Sequence, residues 1–221
     1  MLGWDRFTHS SEKLYNFRRG IMSRLHRAVM SLSGDVGRSF TAFEDDVCKE
    51  TVVAVQGLSV IETGCGPGWE SNRLLTEFGA RLVVATDFSL GMLQDAKRNY
   101  PQLLCVQVDA RNLPFRDGCV DVVYSNCMYH HIPVEDRQKV LTESLRVARK
   151  SVLLKDIAGF RNPGLNLLYR IYYSIVDGSA YRFTAEKWEQ FLSPWIRTSL
   201  RSPEKSLIFR YVFYLLDASR Y

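Results

Sequence analysis

Five short apolar runs, at 58–62, 81–86, 103–108, 120–125 and 151–157, alternate along the chain with stretches of helical periodicity. Strands of this kind are apolar on both faces and need cover on both. The alternation therefore points to a parallel sheet with helices on either side. Between the first two runs, 69–78 places Leu74, Leu75 and Phe78 on one helical face, and Gly79 follows as a C-terminal cap. Stretches 92–99 and 134–148 fill equivalent intervals. With 221 residues and 46% hydrophobic composition, the chain can bury one sizeable core but not two, so 1–221 reads as a single domain.

Appendages flank the alternating core, which takes up 57–157. Leu14, Phe17, Ile21, Leu25 and Val29 recur at helical spacing until 31–37 breaks the pattern, so 1–56 is expected to hold N-terminal helices outside the sheet. After the fifth run, Asn162-Pro163-Gly164 starts a segment carrying Leu165, Leu168, Tyr169, Ile171, Tyr172, Tyr173 and Ile175. It is apolar nearly all round and has to be covered by protein or by ligand. Thr184 is placed to cap a helix over 185–192, and extended runs near 196–200 and 206–216 close the chain.

Several function classes recede on composition. The 29 basic and 24 acidic residues leave +5, with no run of five like charges, which falls short of a nucleic-acid footprint. Five cysteines (Cys48, Cys65, Cys105, Cys119, Cys127) lack CxxC spacing, so neither a disulfide framework nor a metal site is expected. Residues 1–10 hold no apolar leader core, and the stretch 207–216 is too short, and too broken by Arg210, to span a bilayer. A cytoplasmic location is the expectation.

The sharpest local signal is Val60-Ile61-Glu62-Thr63-Gly64-Cys65-Gly66-Pro67-Gly68, a strand entering a glycine-rich turn ahead of a helix. Such a turn brings backbone N–H groups and a helix N-terminus against an anionic group. A dinucleotide loop needs a small residue at position 69, where this chain has Trp69, and Glu62 would repel a pyrophosphate. A ligand bearing both a carboxylate and an ammonium suits the pair better, although a tight turn beside a solvated Glu62 would look the same. Asp87 ends the second run, where a carboxylate can take two hydrogen bonds from a ribose diol or cap the next helix. Asp109 follows the third, where it can accept from an adenine amino group while Ala110 N–H donates to the ring, or simply turn the chain. Glu62, Asp87 and Asp109 fall at the ends of successive strands, the edge where open α/β sheets bind ligands.

These residues resemble the class I S-adenosylmethionine-dependent methyltransferases over roughly 58–157. Glu62 to Gly68 is similar to the family's E/D-x-G-x-G-x-G loop and Asp87-Phe88-Ser89 to its ribose-binding turn. Asp109-Ala110 with Leu113-Pro114-Phe115 is similar to the adenine segment, and Asp121 to Ser125 through His130-His131 to the fourth strand and its active-site loop. The resemblance implies a doubly wound, mostly parallel seven-stranded sheet of Rossmann-like methyltransferase type. One strand is antiparallel, with 195–221 as a C-terminal hairpin, 1–56 as a helical lid and 158–194 as a helical substrate cover. It implies S-adenosylmethionine as cofactor and S-adenosylhomocysteine as product. The expected cofactor-binding residues are Glu62, Gly64, Cys65, Gly66, Gly68, Asp87, Phe88, Asp109, Ala110 and Asn126. Thr63, where an apolar residue is common, and Trp69 depart from the pattern.

A sulfonium methyl is already activated, so such an enzyme has mainly to align a nucleophile and exclude water. No metal is required. A base helps when the nucleophile arrives protonated, which makes His131, or else His130, the candidate catalytic residue; either could instead cap a helix or satisfy a buried carbonyl. Ser125-Asn126-Cys127-Met128 lacks the Asn/Asp-Pro-Pro-aromatic tetrad of amino-methylating nucleic-acid enzymes and the Pro-Cys of cytosine C5 enzymes. A small, partly apolar or aromatic acceptor is left as the expected partner. The competing class is a protein of the same fold that does not methylate, a cyclase of natural-product biosynthesis or a non-catalytic partner subunit.

Overall fold

The computed structural model describes residues 34–176, 182–202 and 210–221. The stripe expected at 14–29 and the lid built on it lie outside these residues. In chain order the elements are α1 (Gly34–Val55), β1 (Ser59–Thr63), α2 (Trp69–Thr76), β2 (Leu82–Asp87), α3 (Leu90–Asn99) and β3 (Leu104–Gln107). They continue with β4 (Val120–Asn126), α4 (Arg137–Val147), β5 (Ala148–Ile157), α5 (Pro163–Val176), α6 (Ala185–Leu192), β6 (Ile196–Arg201) and β7 (Tyr211–Asp217).

The seven strands form one sheet in the order β3-β2-β1-β4-β5-β7-β6. All pairs from β3 to β5 are parallel, and β7 runs antiparallel to both its neighbours. The expected architecture and the terminal hairpin are therefore present. The chain reverses its direction of growth between β3 and β4, which leaves a crevice beyond the carboxyl ends of β1 and β4.

Alternation along the strands divides the core in two. Val60, Val122, Leu153 and Phe213 meet Phe43, Val47 and Val55 of α1 and Leu74 of α2. Ile61, Val123, Val152, Leu154 and Tyr214 meet Val140, Leu141 and Leu145 of α4 and Trp188 and Leu192 of α6. Within the expected N-terminal helices, α1 begins at Gly34, inside the break read at 31–37, and runs 22 residues, held by the Phe43–Val47–Val55 face against the sheet. One expectation is corrected here. The second helix of the supposed substrate cover, α6, is a core helix, because Trp188 and Leu192 are wholly buried on the sheet.

Local capping follows the sequence closely. Thr184 Oγ1 accepts from the Lys187 N–H at 3.4 Å at the start of α6, and Gly79 turns the chain after α2 with φ 72°. At the edge of the sheet away from the crevice, Asp121 Oδ2 accepts from the Ser59 N–H and hydroxyl at 3.0 and 2.8 Å, which fixes β1 against β4.

Candidate active site

The glycine loop leaves β1 in a conformation that only glycine adopts cheaply. Gly64, Gly66 and Gly68 have φ of 71°, 52° and 81°. A Cβ on Gly64 would lie 2.3 Å from Met128 Cγ, and one on Gly68 would lie 2.8 Å from Ala96 Cβ, so the loop is threaded between β4's exit and α3. Three of its N–H groups are spent on the protein itself. Cys65 donates to Thr86 O at 2.9 Å, Gly66 to Asp87 Oδ2 at 2.9 Å and Gly68 to Cys65 O at 3.0 Å.

Asp87 thus joins the loop to the next helix. Its other oxygen accepts from the Ser89 N–H at 2.8 Å, and Ser89, not Asp87, caps α3 by accepting from the Met92 N–H at 3.4 Å. Burial raises the Asp87 carboxyl above its ordinary range, against the lowering effect of the Ser89, Gly66 and Phe88 N–H groups. Phe88 is half-buried beside it, its carbonyl accepting from Gln107 Nε2 at 3.0 Å.

Glu62 lies deeper, 1% exposed, on the α2 face of β1. Its Oε2 accepts from the Ser71 hydroxyl, and Glu70 beside it accepts from the Tyr124 hydroxyl at 3.1 Å and pairs with Arg73 at 3.4 Å. Burial, with the Glu70 and Asp87 charges adding and the Ser71 hydroxyl opposing, pushes Glu62 up to about 8. Asp109, two residues past β3, is turned to Arg111. Both its oxygens accept from that guanidinium, at 2.8 to 3.0 Å, and Arg111 reaches on to Asp136 at 3.0 Å. Burial alone would raise Asp109, but Arg111 outweighs it and holds the carboxyl low. Ala110 packs against the α4 side of the core.

The exit of β4 carries the remaining candidates. Ser125 pairs with Thr63 and Asn126 with Lys155 in the ladders. Ser125 Oγ and Asn126 Oδ1 are buried with no hydrogen-bond partner among the described residues, a costly condition for polar atoms and one that a ligand relieves. Cys127 follows at φ 54°, the one non-glycine positive φ among the described residues, and strain of this kind gathers where a chain is bent to serve a site. The 3-10 turn Tyr129–His131 comes next. His131 is half-buried, and its ring lies 4.3 Å from that of His130. His130 is 1% exposed, with Nδ1 2.6 Å from Asp156 Oδ1.

The structure accordingly gathers Glu62, the loop, Asp87 and Asn126 at the ends of three adjacent strands, with Asp109 at the mouth beyond β3. Sequence reasoning did not find Ser71, Glu70 and Tyr124 around Glu62, nor Asp156 and Arg137 around His130. Asp156 did leave a trace, as the lone acid in the apolar run of β5. Among the described residues no three His, Cys, Asp or Glu side chains converge as metal ligands, and no helix is long and apolar enough to cross a membrane.

Residues 60–151 match a family described as a methyltransferase domain. The demethylmenaquinone methyltransferase of Renibacterium salmoninarum is 34% identical over 123 residues, covering 56% of this chain and 50% of that one. A ubiquinone/menaquinone biosynthesis C-methyltransferase of Campylobacter jejuni is 27% identical over 185 residues, covering 75% and 76%. The chain spans about half the length of the first curated relatives it matches, 50% and 44%. Among solved structures, magnesium protoporphyrin IX methyltransferase from Synechocystis with bound S-adenosylhomocysteine superposes with a TM-score of 0.61 at 20% identity, covering 82% of this chain and 86% of that one. Residues 60–151 are thus similar to a methyltransferase domain, and the sheet has the fold of solved methyltransferases.

Proposed function

We propose that this protein transfers a methyl group from S-adenosylmethionine to a small, partly apolar or aromatic acceptor, leaving S-adenosylhomocysteine. The observation that carries the reading is the β1–β4 edge itself. There a buried carboxyl pushed up to about 8 and two buried polar atoms without partners among the described residues stand beside a loop with no room for a side chain at Gly64 or Gly68. A cationic ammonium stabilises the ionised Glu62, and donors on the ligand satisfy Asn126 Oδ1 and Ser125 Oγ. Asp87 keeps lone pairs for a diol after accepting its two N–H bonds. Asp109 offers an amino group an oxygen already shared with Arg111, which makes it the weakest of the expected contacts.

The cofactor supplies an electrophilic methyl; the protein supplies alignment, exclusion of water and, for a protonated acceptor, a base from the His130-His131 turn. Beyond the end of β5, Phe160, Tyr169 and Tyr173 pack ring to ring, with Tyr172 against Tyr173, at centroid distances of 4.7 to 5.1 Å. The first three are buried in a cluster of their own, with the Arg182 and Arg210 guanidiniums over their faces, which makes them packing rather than pocket lining. The Renibacterium relative, named for demethylmenaquinone, makes that compound the first acceptor to try.

Calorimetric titration of wild type and Asp87→Ala with S-adenosylmethionine and S-adenosylhomocysteine tests the cofactor half. Binding by the wild type that weakens about tenfold or more in the variant, the loss of roughly 1.4 kcal/mol or more, is expected. No binding by the wild type would sink the reading. Transfer of labelled methyl to demethylmenaquinone and a panel of small phenols then separates a methyltransferase from a non-methylating protein of the same fold.

A further inference from the structure

Ser71 lies in the first turn of α2, is 0% exposed, and gives its hydroxyl proton to Glu62 Oε2. Among the described residues it is the one hydrogen-bond donor to that carboxyl. The other polar groups facing Glu62 are turned elsewhere. Tyr124, its ladder partner in β4, gives its hydroxyl to Glu70 at 3.1 Å, and the Arg73 guanidinium is shared between Glu70 at 3.4 Å and Glu77 at 3.0 Å. Asp87 of β2 and Glu70 of α2 bring Glu62 further negative charge, and the Cys65 thiol of the loop stands beside it. Burial and those two acids push Glu62 up to about 8, and the Ser71 hydroxyl is the group that works the other way.

Strand register sets what Glu62 stands next to. It pairs with Ala85 of β2 on one side and with Tyr124 of β4 on the other. Side chains alternate along a strand, so Asp87 and Asn126, two residues further toward the carboxyl edge, project from the same face as Glu62. Glu62 therefore lies one pleat below the crevice, between the strands that carry Asp87 and Asn126. The buried Asn126 Oδ1 has no hydrogen-bond partner among the described residues. Two carboxylates and an amide oxygen all accept, so a group that enters between them has to donate, and an ammonium donates three times. With Oε2 tied to Ser71, Oε1 is the Glu62 oxygen left for it.

We propose that Ser71 is a positioning residue whose hydroxyl holds Glu62 Oε2 on the α2 side and so turns Oε1 to the ammonium of the cofactor's amino-acid group. This rests on the cofactor reading of the site. As the cofactor enters, its ammonium donates to Oε1, and the proton that the free carboxyl carried passes to water. No other bond is made or broken.

Side-chain ¹³C spectra of the whole protein labelled at glutamate, assigned with Glu62→Gln, follow the carboxyl directly. In Ser71→Ala, which removes the hydroxyl without adding bulk, the Glu62 midpoint of the free protein is expected to rise by about one pH unit. S-adenosylhomocysteine is the probe for the bound state. Its affinity is expected to climb with pH as Glu62 ionises and to fall again as its own amine loses its proton. In Ser71→Ala the rising limb moves up by the same unit, which is about a tenfold loss of affinity at neutral pH, while the falling limb stays. Tyr124→Phe, which takes a hydroxyl from Glu70 and none from Glu62, is expected to raise neither. An unchanged Glu62 midpoint in Ser71→Ala overturns the proposal without recourse to any ligand. So does an equal rise in Tyr124→Phe, or a loss of affinity in Ser71→Ala that is the same at every pH, the mark of a residue that merely packs. No binding of S-adenosylhomocysteine by the wild type sinks the cofactor reading and the ammonium contact with it, whereas the spectra of the free protein judge the link from Ser71 to Glu62 on its own.

Discussion

A carboxyl as deeply buried as that of Glu62 ties the stability of the protein to pH. Its ordinary value of 4.5 in the unfolded chain rises to about 8 in the fold, chiefly through burial. Between these values the folded state holds a proton that the unfolded state releases, so stability from this group falls as pH rises and levels off above about 8. The slope reaches about 1.4 kcal/mol per pH unit. Glu62→Gln keeps an acceptor for Ser71 and removes the titration. Denaturant unfolding at several pH values between 5 and 8 is expected to show a flatter profile in the variant, and equal slopes would contradict the assignment. Cofactor binding at neutral pH should, for the same reason, release a proton in the wild type and not in Glu62→Gln, which calorimetry in buffers of different ionisation enthalpy reads directly. Glu62 and Asp87 were visible in the sequence because each is an acid at the end of an otherwise apolar strand. Their partners were not: Ser71 meets Glu62 and Tyr124 meets Glu70 only once α2 packs across β1 and β4. Asp156 left the same kind of trace, but its partner His130 is fixed only by the packing of the β4 exit on β5.

At the scale of the element, the loop between β1 and α2 depends on contacts as well as on dihedrals. Gly64 and Gly118 both have positive φ, 71° and 55°, yet a Cβ on Gly118 would meet nothing within 4 Å whereas one on Gly64 would meet Met128. Gly118→Ala is therefore expected to cost only the left-handed backbone penalty, about 1–2 kcal/mol. Gly64→Ala adds overpacking and should cost roughly 2–5 kcal/mol. Combining Gly64→Ala with Met128→Ala tests the cause, because the double variant should be more stable than the sum of the single losses; strict additivity would mean the clash is not with Met128. Glycine signals a turn in the sequence, but the approach of Met128 is set by β4 and could not be read there. The helices show the same division. The stripe of α2 and the Thr184 cap of α6 were legible because they are local. The role of α6 was not, since Trp188 reads equally as pocket wall or core until β5 and β7 are in place against it. The helix α1 falls within the expected N-terminal helices, but its start does not stand out where Gly37 and the acids Glu44, Asp45 and Asp46 interrupt its periodicity; tertiary packing of Phe43, Val47 and Val55 overrides that local weakness.

Across the whole molecule, the last strand in the chain is not the last in the sheet. β7 is inserted between β5 and β6, pairing with residues 151–157 on one side and 196–201 on the other. It sends Val212, Tyr214 and Leu216 into the core beneath α4 and α6, and Phe213 into the core beneath α1 and α2. Both halves of the hydrophobic interior are therefore closed by a segment that follows the other six strands in the chain. Four buried side chains at roughly 1.5–3 kcal/mol each amount to some 6–12 kcal/mol, about the whole stability of a domain of this size. The loss would also strip β5, which carries Asp156, of one of its two ladders. A chain ended after Ser202 is expected to lose cooperative unfolding by circular dichroism and to lose cofactor binding with it, although every residue from Glu62 to His131 is still present. Cooperative unfolding of that shortened chain would show instead that the cofactor half folds on its own and that the hairpin is an appendage.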